Sequence, residues 1–287
     1  MPAVEIVAVG NELLMGEVQD TNTPWLCEQI TRWGGRVERA VLLRDDRRVI
    51  ARELRAAIRR KPALIFTIGG MGATADDLTL AAVALATKRA LYPDMLALGL
   101  LRERFEALAA AGALASAEIS EARRKMAIIP QGATPLLNPA GTAPAVVLTV
   151  ATITLICCPG VPSELRAIVR GPLELALRRV FGARVFDEQV ITVDCNDESA
   201  LAPLLSAVAE RHPDVYVKSH AERFGSHVRF LVTLSTTQES AEATEAELDH
   251  TLEDLRHTLA LSGMGLAPWA RVPRLLEICA EQRPAPA

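Results

Sequence analysis

Residues 67–79 read TIGGMGATADDLT. Gly69, Gly70 and Gly72 leave the main chain bare and permit positive φ. Thr74, Asp76 and Asp77 follow at once. Uncovered amides ahead of a helix attract phosphate or carboxylate oxygens. Two acids at a helix start can simply complement the macrodipole. Beside an anion-binding loop they also suit a divalent cation, because Mg²⁺ takes one or two carboxylates plus substrate phosphate oxygens. Alternatively, one acid accepts hydrogen bonds from a pterin or a ribose. Either functional case implies a phosphorylated ligand. The plain alternative is a tight strand-to-helix turn that binds nothing. No Lys follows the glycines as GxxxxGK[ST] requires, and GxGxxG does not fit either.

More polar, small-residue stretches recur along the chain. They are Gly10-Asn11-Glu12-Leu13-Leu14, Asp20-Thr21-Asn22, Arg44-Asp45-Asp46, Asn138 to Pro144 with Gly141 and Thr142, and Pro159-Gly160-Val161-Pro162-Ser163-Glu164. Each alone reads as a cap or turn. Together they point to one shared site. Ser163 before Glu164 suits a helix cap rather than a nucleophile. Cys157 and Cys158 end an apolar run and read as packed thiols. Trp25 and Trp33 read as core residues of one helix. His250 and His257 fall on one predicted helix as a solvated face, and no histidine pair has metal-ligand spacing.

These stretches need elements to position them. Apolar runs predict strands over Glu5–Val9, Val37–Leu43, Ala63–Ile68, Ala145–Val150 and Ile153–Cys157. Helical periodicity predicts helices opening at Thr23-Pro24, over Asp46–Arg60 and over Leu78–Leu91. Pro93 to Lys125 reads as mostly helical with a break near Gly112. A further helix runs to Phe181, kinked at Gly171-Pro172. Alternating strand and helix predicts an α/β domain with a mostly parallel, doubly covered sheet. Ligands of such sheets sit at the carboxyl ends of the strands, where the glycine stretch lies. After Gly182 the pattern changes to β-α-β-β-α: strands Phe186–Val193, Val215–Lys218 and Val228–Thr236, with helices Asp197–Arg211 and Glu239–Leu261. The expected division is residues 1–182, a smaller α+β unit over 183–262, and a loosely held tail over 263–287.

Half of the 287 residues are hydrophobic, enough for one large core or two modest ones. A net charge of −4 argues against a general nucleic-acid binder. The five cysteines are odd in number and form no CxxC pair, so a reducing, cytoplasmic setting is expected. The N-terminus has no signal-peptide pattern. Apolar runs are too short for a membrane span.

The GNELL, DTN, GGMG-x-T-x-DD, NPxGTAP and PGVPSE motifs, in this order, resemble the N-terminal half of the CinA (competence-damage) family. That half shares the fold of the molybdopterin-binding MoaB/MogA proteins. The resemblance spans Ile6 to Glu164 and implies a three-layer α/β/α sandwich. The following α+β unit resembles the family's KH-like domain. The activity implied is hydrolysis of the pyrophosphate in ADP-ribose or a related dinucleotide such as FAD, with Mg²⁺, Mn²⁺ or Co²⁺. MoaB/MogA relatives instead bind molybdopterin. By motif position, Asp77 and Asp45 match site acids, Glu12, Asp20 and Asn22 match early site residues, and Lys125 matches a basic residue ahead of a strand. The resemblance also implies a homo-oligomer. The sequence departs from the family at Ile68, Ala73, Met126 and Ala145, where a hydroxyl residue, Pro, Gln and Gly are usual.

Two readings follow. In the first, the Gly69–Gly72 amides cradle a diphosphate, Asp77, Asp45 and Glu12 hold a metal, and Lys125 offsets charge on the leaving phosphate. In the second, the same residues hold a molybdopterin-like or nucleotide ligand without turnover. Gly10, Asn11, Thr74, Asp76, Asn138, Gly141, Thr142, Pro159, Gly160 and Ser163 would contact the ligand in either case. Nucleic-acid binding through the second unit is not favoured, because residues 183–261 contain no GXXG.

Overall fold

The computed structural model describes residues 1–182, 184–224 and 227–266. The expected tail falls mostly outside these residues, as does Cys279. The chain divides into two compact units: Met1–Thr31 with Gly35–Gly182, and the chain after Gly182 with Arg32–Gly34.

The first unit runs β1 (Ala3–Val9), α1 (Asn11–Met15), α2 (Asn22–Arg32), β2 (Arg36–Leu43), α3 (Arg47–Arg60), β3 (Leu64–Ile68) and α4 (Thr79–Thr87). An excursion follows: β4 (Leu91–Pro93), α5 (Met95–Ala110), α6 (Glu121–Lys125) and β5 (Ile128–Pro130). The chain then returns through β6 (Thr134–Leu136), β7 (Ala145–Val150), β8 (Ile153–Cys158), α7 (Pro162–Val169) and α8 (Glu174–Phe181). The main sheet has the order β2-β1-β3-β8-β7-β6. Strands β2, β1, β3 and β8 are parallel, and β7 and β6 add an antiparallel edge. This is the mixed, parallel-rich α/β sheet that the alternation predicts.

Both faces of the central strands are buried, so their residues read as continuous apolar runs. On one face Val7, Val9 and Ile65 pack against Ile50, Leu54 and Ala57 of α3 and Ala82, Val83 and Ala86 of α4. On the other face Ile6 and Phe66 are fully buried, as are Leu26 and Ile30 of α2. A smaller cluster joins Leu98, Leu101 and Phe105 of α5 to Met126, Ala127 and Ala143.

Several local expectations are corrected. Helix α2 opens at Asn22, not at a Thr23 cap, because the Asp20 carboxylate accepts from the Asn22 and Thr23 amides, both at 3.0 Å. The predicted kink at Gly171-Pro172 is a full break between α7 and α8. The break expected near Gly112, by contrast, is present, between α5 and α6. Helix α4 stops at Thr87, where Lys88 turns left-handed at φ 56°. Val161, not Ser163, occupies the N-cap of α7, and it makes no side-chain cap bond. Trp25 and Trp33 are half-buried rather than core. Trp25 lies under the guanidinium groups of Arg166 and Arg170 at 5.7 and 5.8 Å.

The second unit carries β9 (Val185–Asp194), α9 (Glu198–Arg211), β10 (Tyr216–Phe224), β11 (His227–Gln238), α10 (Ala241–Leu261) and β12 (Gly265–Leu266). Its sheet, β10-β11-β9-β12, is antiparallel throughout. Leu248, Leu252, Leu255 and Leu259 of α10 meet Val232 and Leu234 of β11 in its core. Gly265 and Leu266, expected in the tail, instead pair with the edge of β9.

Among the described residues, no helix is long and apolar enough to cross a membrane. One polar contact locks α3 onto the sheet. Glu5 is 4% exposed and sits on the face of β1 that carries Val7 and Val9. Arg60, the last residue of α3, reaches it with Nε at 2.6 Å and Nη2 at 2.5 Å. Arg60 also meets the outer Glu53 at 2.9 Å. Arg60→Ala strands a buried carboxylate, and a loss of about 2–3 kcal/mol is expected in urea unfolding. Glu53→Ala, on the solvent side of the same guanidinium, costs under about 1 kcal/mol.

Candidate functional site

Three parallel strands end together, and bare backbone lets them do so. The Gly69 amide donates to the Cys158 carbonyl at 2.9 Å. A Cβ on Gly69 would lie 2.1 Å from the Val9 carbonyl oxygen, and its φ of +97° favours glycine in any case. Gly160, just past β8, sits over Gly69, with an added Cβ 3.3 Å from the Gly69 Cα. Thr79, the first residue of α4, ties the loop down. Its amide donates to the Gly70 carbonyl at 3.0 Å and its hydroxyl to the Gly69 carbonyl at 2.7 Å. The amides of Gly70, Met71 and Gly72 have no acceptor among the described residues.

These strand ends open into a cleft of about 550 Å³. Gly10, Glu12, Asp45, Gly69, Gly70, Gly72, Asp76, Asp77, Thr142, Pro159 and Gly160 line it, together with Phe105, Arg123, Met126 and Glu164. Its volume falls within the range of small-molecule and cofactor sites.

The other residues singled out in the sequence stand behind this wall. The Asn11 amide donates to Asp45 Oδ2 at 2.8 Å. Asp20 caps α2, and Asn22 Nδ2 holds the Gly160 carbonyl at 2.6 Å. Thr74 gives its amide and hydroxyl to Asp77 Oδ2 at 2.9 and 2.7 Å, and its hydroxyl also meets Asp76. Lys125 Nζ donates to the Thr74 carbonyl and lines a smaller adjoining cavity of about 160 Å³. Asn138 is buried. Its Oδ1 accepts from the Ala140 and Gly141 amides, and its Nδ2 donates to Glu164 Oε2 at 2.7 Å. Arg104 Nε holds the Gly141 carbonyl at 2.8 Å. Ser163 is exposed and does not line the cleft.

The electrostatics are lopsided. Burial pushes the Asp45 carboxyl above its ordinary value; the Asn11 amide opposes this, and the charges of Glu12, Asp76 and Asp77 add to the rise. Glu164 is likewise raised by burial, against the Asn138 hydrogen bond and Arg104. Asp76 is held low by the Thr74 hydroxyl, with Lys125 contributing. Among the described residues, no group of three or more His, Cys, Asp or Glu side chains forms a metal cage. Asp45 and Asp77 do fit the looser arrangement that Mg²⁺ prefers. Each has one oxygen committed to the loops and lines the cleft, leaving ligand phosphates to complete the shell.

Sequence reasoning missed Phe105 and Arg123, and it noted Met126 only as a departure from the family rather than as a cleft residue. Glu164 was visible in PGVPSE but read only as part of a helix start.

A family model described as the probable molybdopterin binding domain matches residues 5–179. The chain belongs to this family. A relative from Aeropyrum pernix is 39% identical over 253 residues, covering 85% of this chain and 91% of its own. One from Pyrobaculum calidifontis is 34% identical over 258 residues, covering 88% and 95%. The crystal structure of the protein CinA from Thermoplasma acidophilum, described as of unknown function, superposes with a TM-score of 0.55 at 30% identity. It covers 61% of this chain and 98% of that one. The family match ends at residue 179, ahead of β9.

Two outcomes follow from the geometry. Gly69→Ala meets the Val9 carbonyl and is expected to cost about 3 kcal/mol or more in thermal unfolding. Gly99→Ala, inside α5 with open space around it, is expected to gain about 0.5–1 kcal/mol. Asp45→Asn tests the crowding of acids. A carboxyl raised in the folded state binds its proton more tightly there, so ionised Asp45 lowers stability as pH rises above its ordinary 3.8. The Asn variant should therefore melt higher than wild type at pH 7, and the difference should vanish below about pH 4.

Proposed function

We propose that the protein hydrolyses the pyrophosphate bond of ADP-ribose or a related dinucleotide, in the manner its resemblance to CinA implies. One observation carries this reading. The uncommitted amides of Gly70, Met71 and Gly72 share a cleft with Asp45, Asp77, Asp76 and Glu12. An anion cradle facing four carboxylates suits a diphosphate only with a cation between them.

The chain's own residues supply binding and orientation. The loop amides donate to the diphosphate oxygens. Thr79 and Asn22 keep Gly69 and Gly160 in backbone contact, so the cradle does not open. Asp45 and Asp77 turn their free oxygens toward the phosphates. A divalent cation held there, with Glu12 at the rim, would neutralise phosphate charge and acidify a bound water. In the overall reaction water adds to one phosphorus, and the bridging oxygen leaves with its bonding electron pair. Two monophosphates result, together with protons released to solvent near neutral pH. Lys125 acts on the loop through the Thr74 carbonyl.

A second reading is favoured by that same contact. Lys125 and one oxygen of Asp77 are spent on holding Thr74. A site braced in this way suits holding a molybdopterin-like or nucleotide ligand without turnover.

Phosphorus NMR of ADP-ribose and of FAD, with Mg²⁺, Mn²⁺ or Co²⁺ in turn, separates the two. The expected result is replacement of the diphosphate signals by monophosphates, slowed at least about 100-fold in Asp45→Asn. Protein-dependent line broadening without conversion in the diamagnetic Mg²⁺ samples would establish the holding function instead.

A further inference from the structure

The cleft is lined by an aromatic and cationic pair as well as by the acids and the glycine loop. Arg123, on α6, lays its guanidinium over the Phe105 ring, with Cζ 4.0 Å from the ring centroid. Its Nη1 donates to the Ser116 and Glu118 carbonyls at 2.9 and 2.7 Å. One face of the guanidinium is thus backed and one edge is fixed. Phe105 is itself buried among Leu101, Met126 and Ala143, so the backing is rigid. Phe105, Arg123, Met126 and Ala143 all line the cleft. Helix α6 is joined to the glycine loop by Lys125 on the Thr74 carbonyl.

Arg123 is the one basic side chain lining this cleft among the described residues, against the acids Glu12, Asp45, Asp76, Asp77 and Glu164. Its hydrogen bonds go to two neutral carbonyls, which fix the Nη1 edge of the guanidinium. A flat, weakly hydrated cation with an apolar backing is a stacking surface for a planar ring. A cleft of about 550 Å³ also has room for more than a diphosphate.

We propose that the Arg123–Phe105 platform binds the planar heteroaromatic ring of the ligand and selects base-bearing diphosphates over bare ones. This rests on the reading of the Gly69–Gly72 loop as the phosphate end of the site. The ring contacts the open face of the guanidinium, while Met126 and Ala143 close the apolar side. Arg123 is a specificity residue in this arrangement, and Phe105 a positioning residue acting through it.

The test is equilibrium binding of three probes, ADP-ribose (as its non-hydrolysable methylene-bridged analogue), adenosine and inorganic pyrophosphate, to wild type, Arg123→Lys and Phe105→Leu, with Mg²⁺ present. Arg123→Lys keeps the charge and removes the plane. Phe105→Leu keeps the apolar volume and removes the aromatic backing. Arg123→Lys is expected to weaken ADP-ribose and adenosine about tenfold or more, with pyrophosphate unchanged within about twofold. Phe105→Leu is expected to show a smaller loss of the same pattern. Equal loss of ADP-ribose and pyrophosphate in Arg123→Lys would make Arg123 a charge contact and overturn the proposal. So would wild-type affinity in that variant, or ADP-ribose binding no tighter than pyrophosphate in wild type. Adenosine binding without pyrophosphate binding would instead remove the phosphate reading of the glycine loop and leave the ring platform standing. Wild type that binds none of the three would remove both.

Discussion

The close approach of backbone at Gly69 is the constraint on which the site depends. The ends of β1, β3 and β8 meet there with no side chain between them. A parallel sheet normally splays its loops apart at its carboxyl edge, because each strand must turn into a crossover helix. Here the Gly69 amide joins β8, its Cα faces the Val9 carbonyl, and Gly160 lies over it. Three loops therefore form one continuous wall. The bare amides of the next residues lie on that wall because Thr79 pulls the Gly70 carbonyl back to the start of α4.

Charge follows from this geometry. Once the strand ends are drawn together, Asp45 from the end of β2 faces the same space as Glu12, Asp76 and Asp77. Burial raises the Asp45 carboxyl, and repulsion from these neighbours adds to the rise. Stability is given up at this place, as is common where function needs like charges held close. The cost is tolerable because the loops are independently braced, by Asn138 and Arg104 on one side and by Asp77 and Lys125 on the other. Most side chains behind the cleft wall hold loops rather than face the cavity. Asp20, Asn22 and Asn138 belong to this group, although their motifs read from sequence as ligand contacts.

The second unit has its own core and its own antiparallel sheet. It also carries a buried polar arrangement of its own. His212, 5% exposed, lies between Glu247 and Asp254 of α10, and Asp254 in turn accepts from Arg211. This clamp joins the end of α9 to α10 and fits a structural role. Nothing in it matches the spacing of a metal site.

Local signals determined the elements. Apolar runs without alternation marked the buried strands, because both faces of the sheet are covered. Glycines marked the loop after β3, because a positive φ and a carbonyl at 2.1 Å leave no room for a Cβ. The order of strand-end motifs also placed the site at the carboxyl edge. What each side chain does there was decided only by tertiary structure. Lys125 and Arg123 are two residues apart on one short helix, yet one braces the Thr74 carbonyl and the other stacks on Phe105. Asp76 and Asp77 are adjacent, yet only Asp77 accepts the Thr74 amide. Asp20 became a cap and Asp45 a cleft acid, though each stands just ahead of a helix. These fates depend on partners far away in sequence, and short-range pattern carries no information about such partners until the chain has folded.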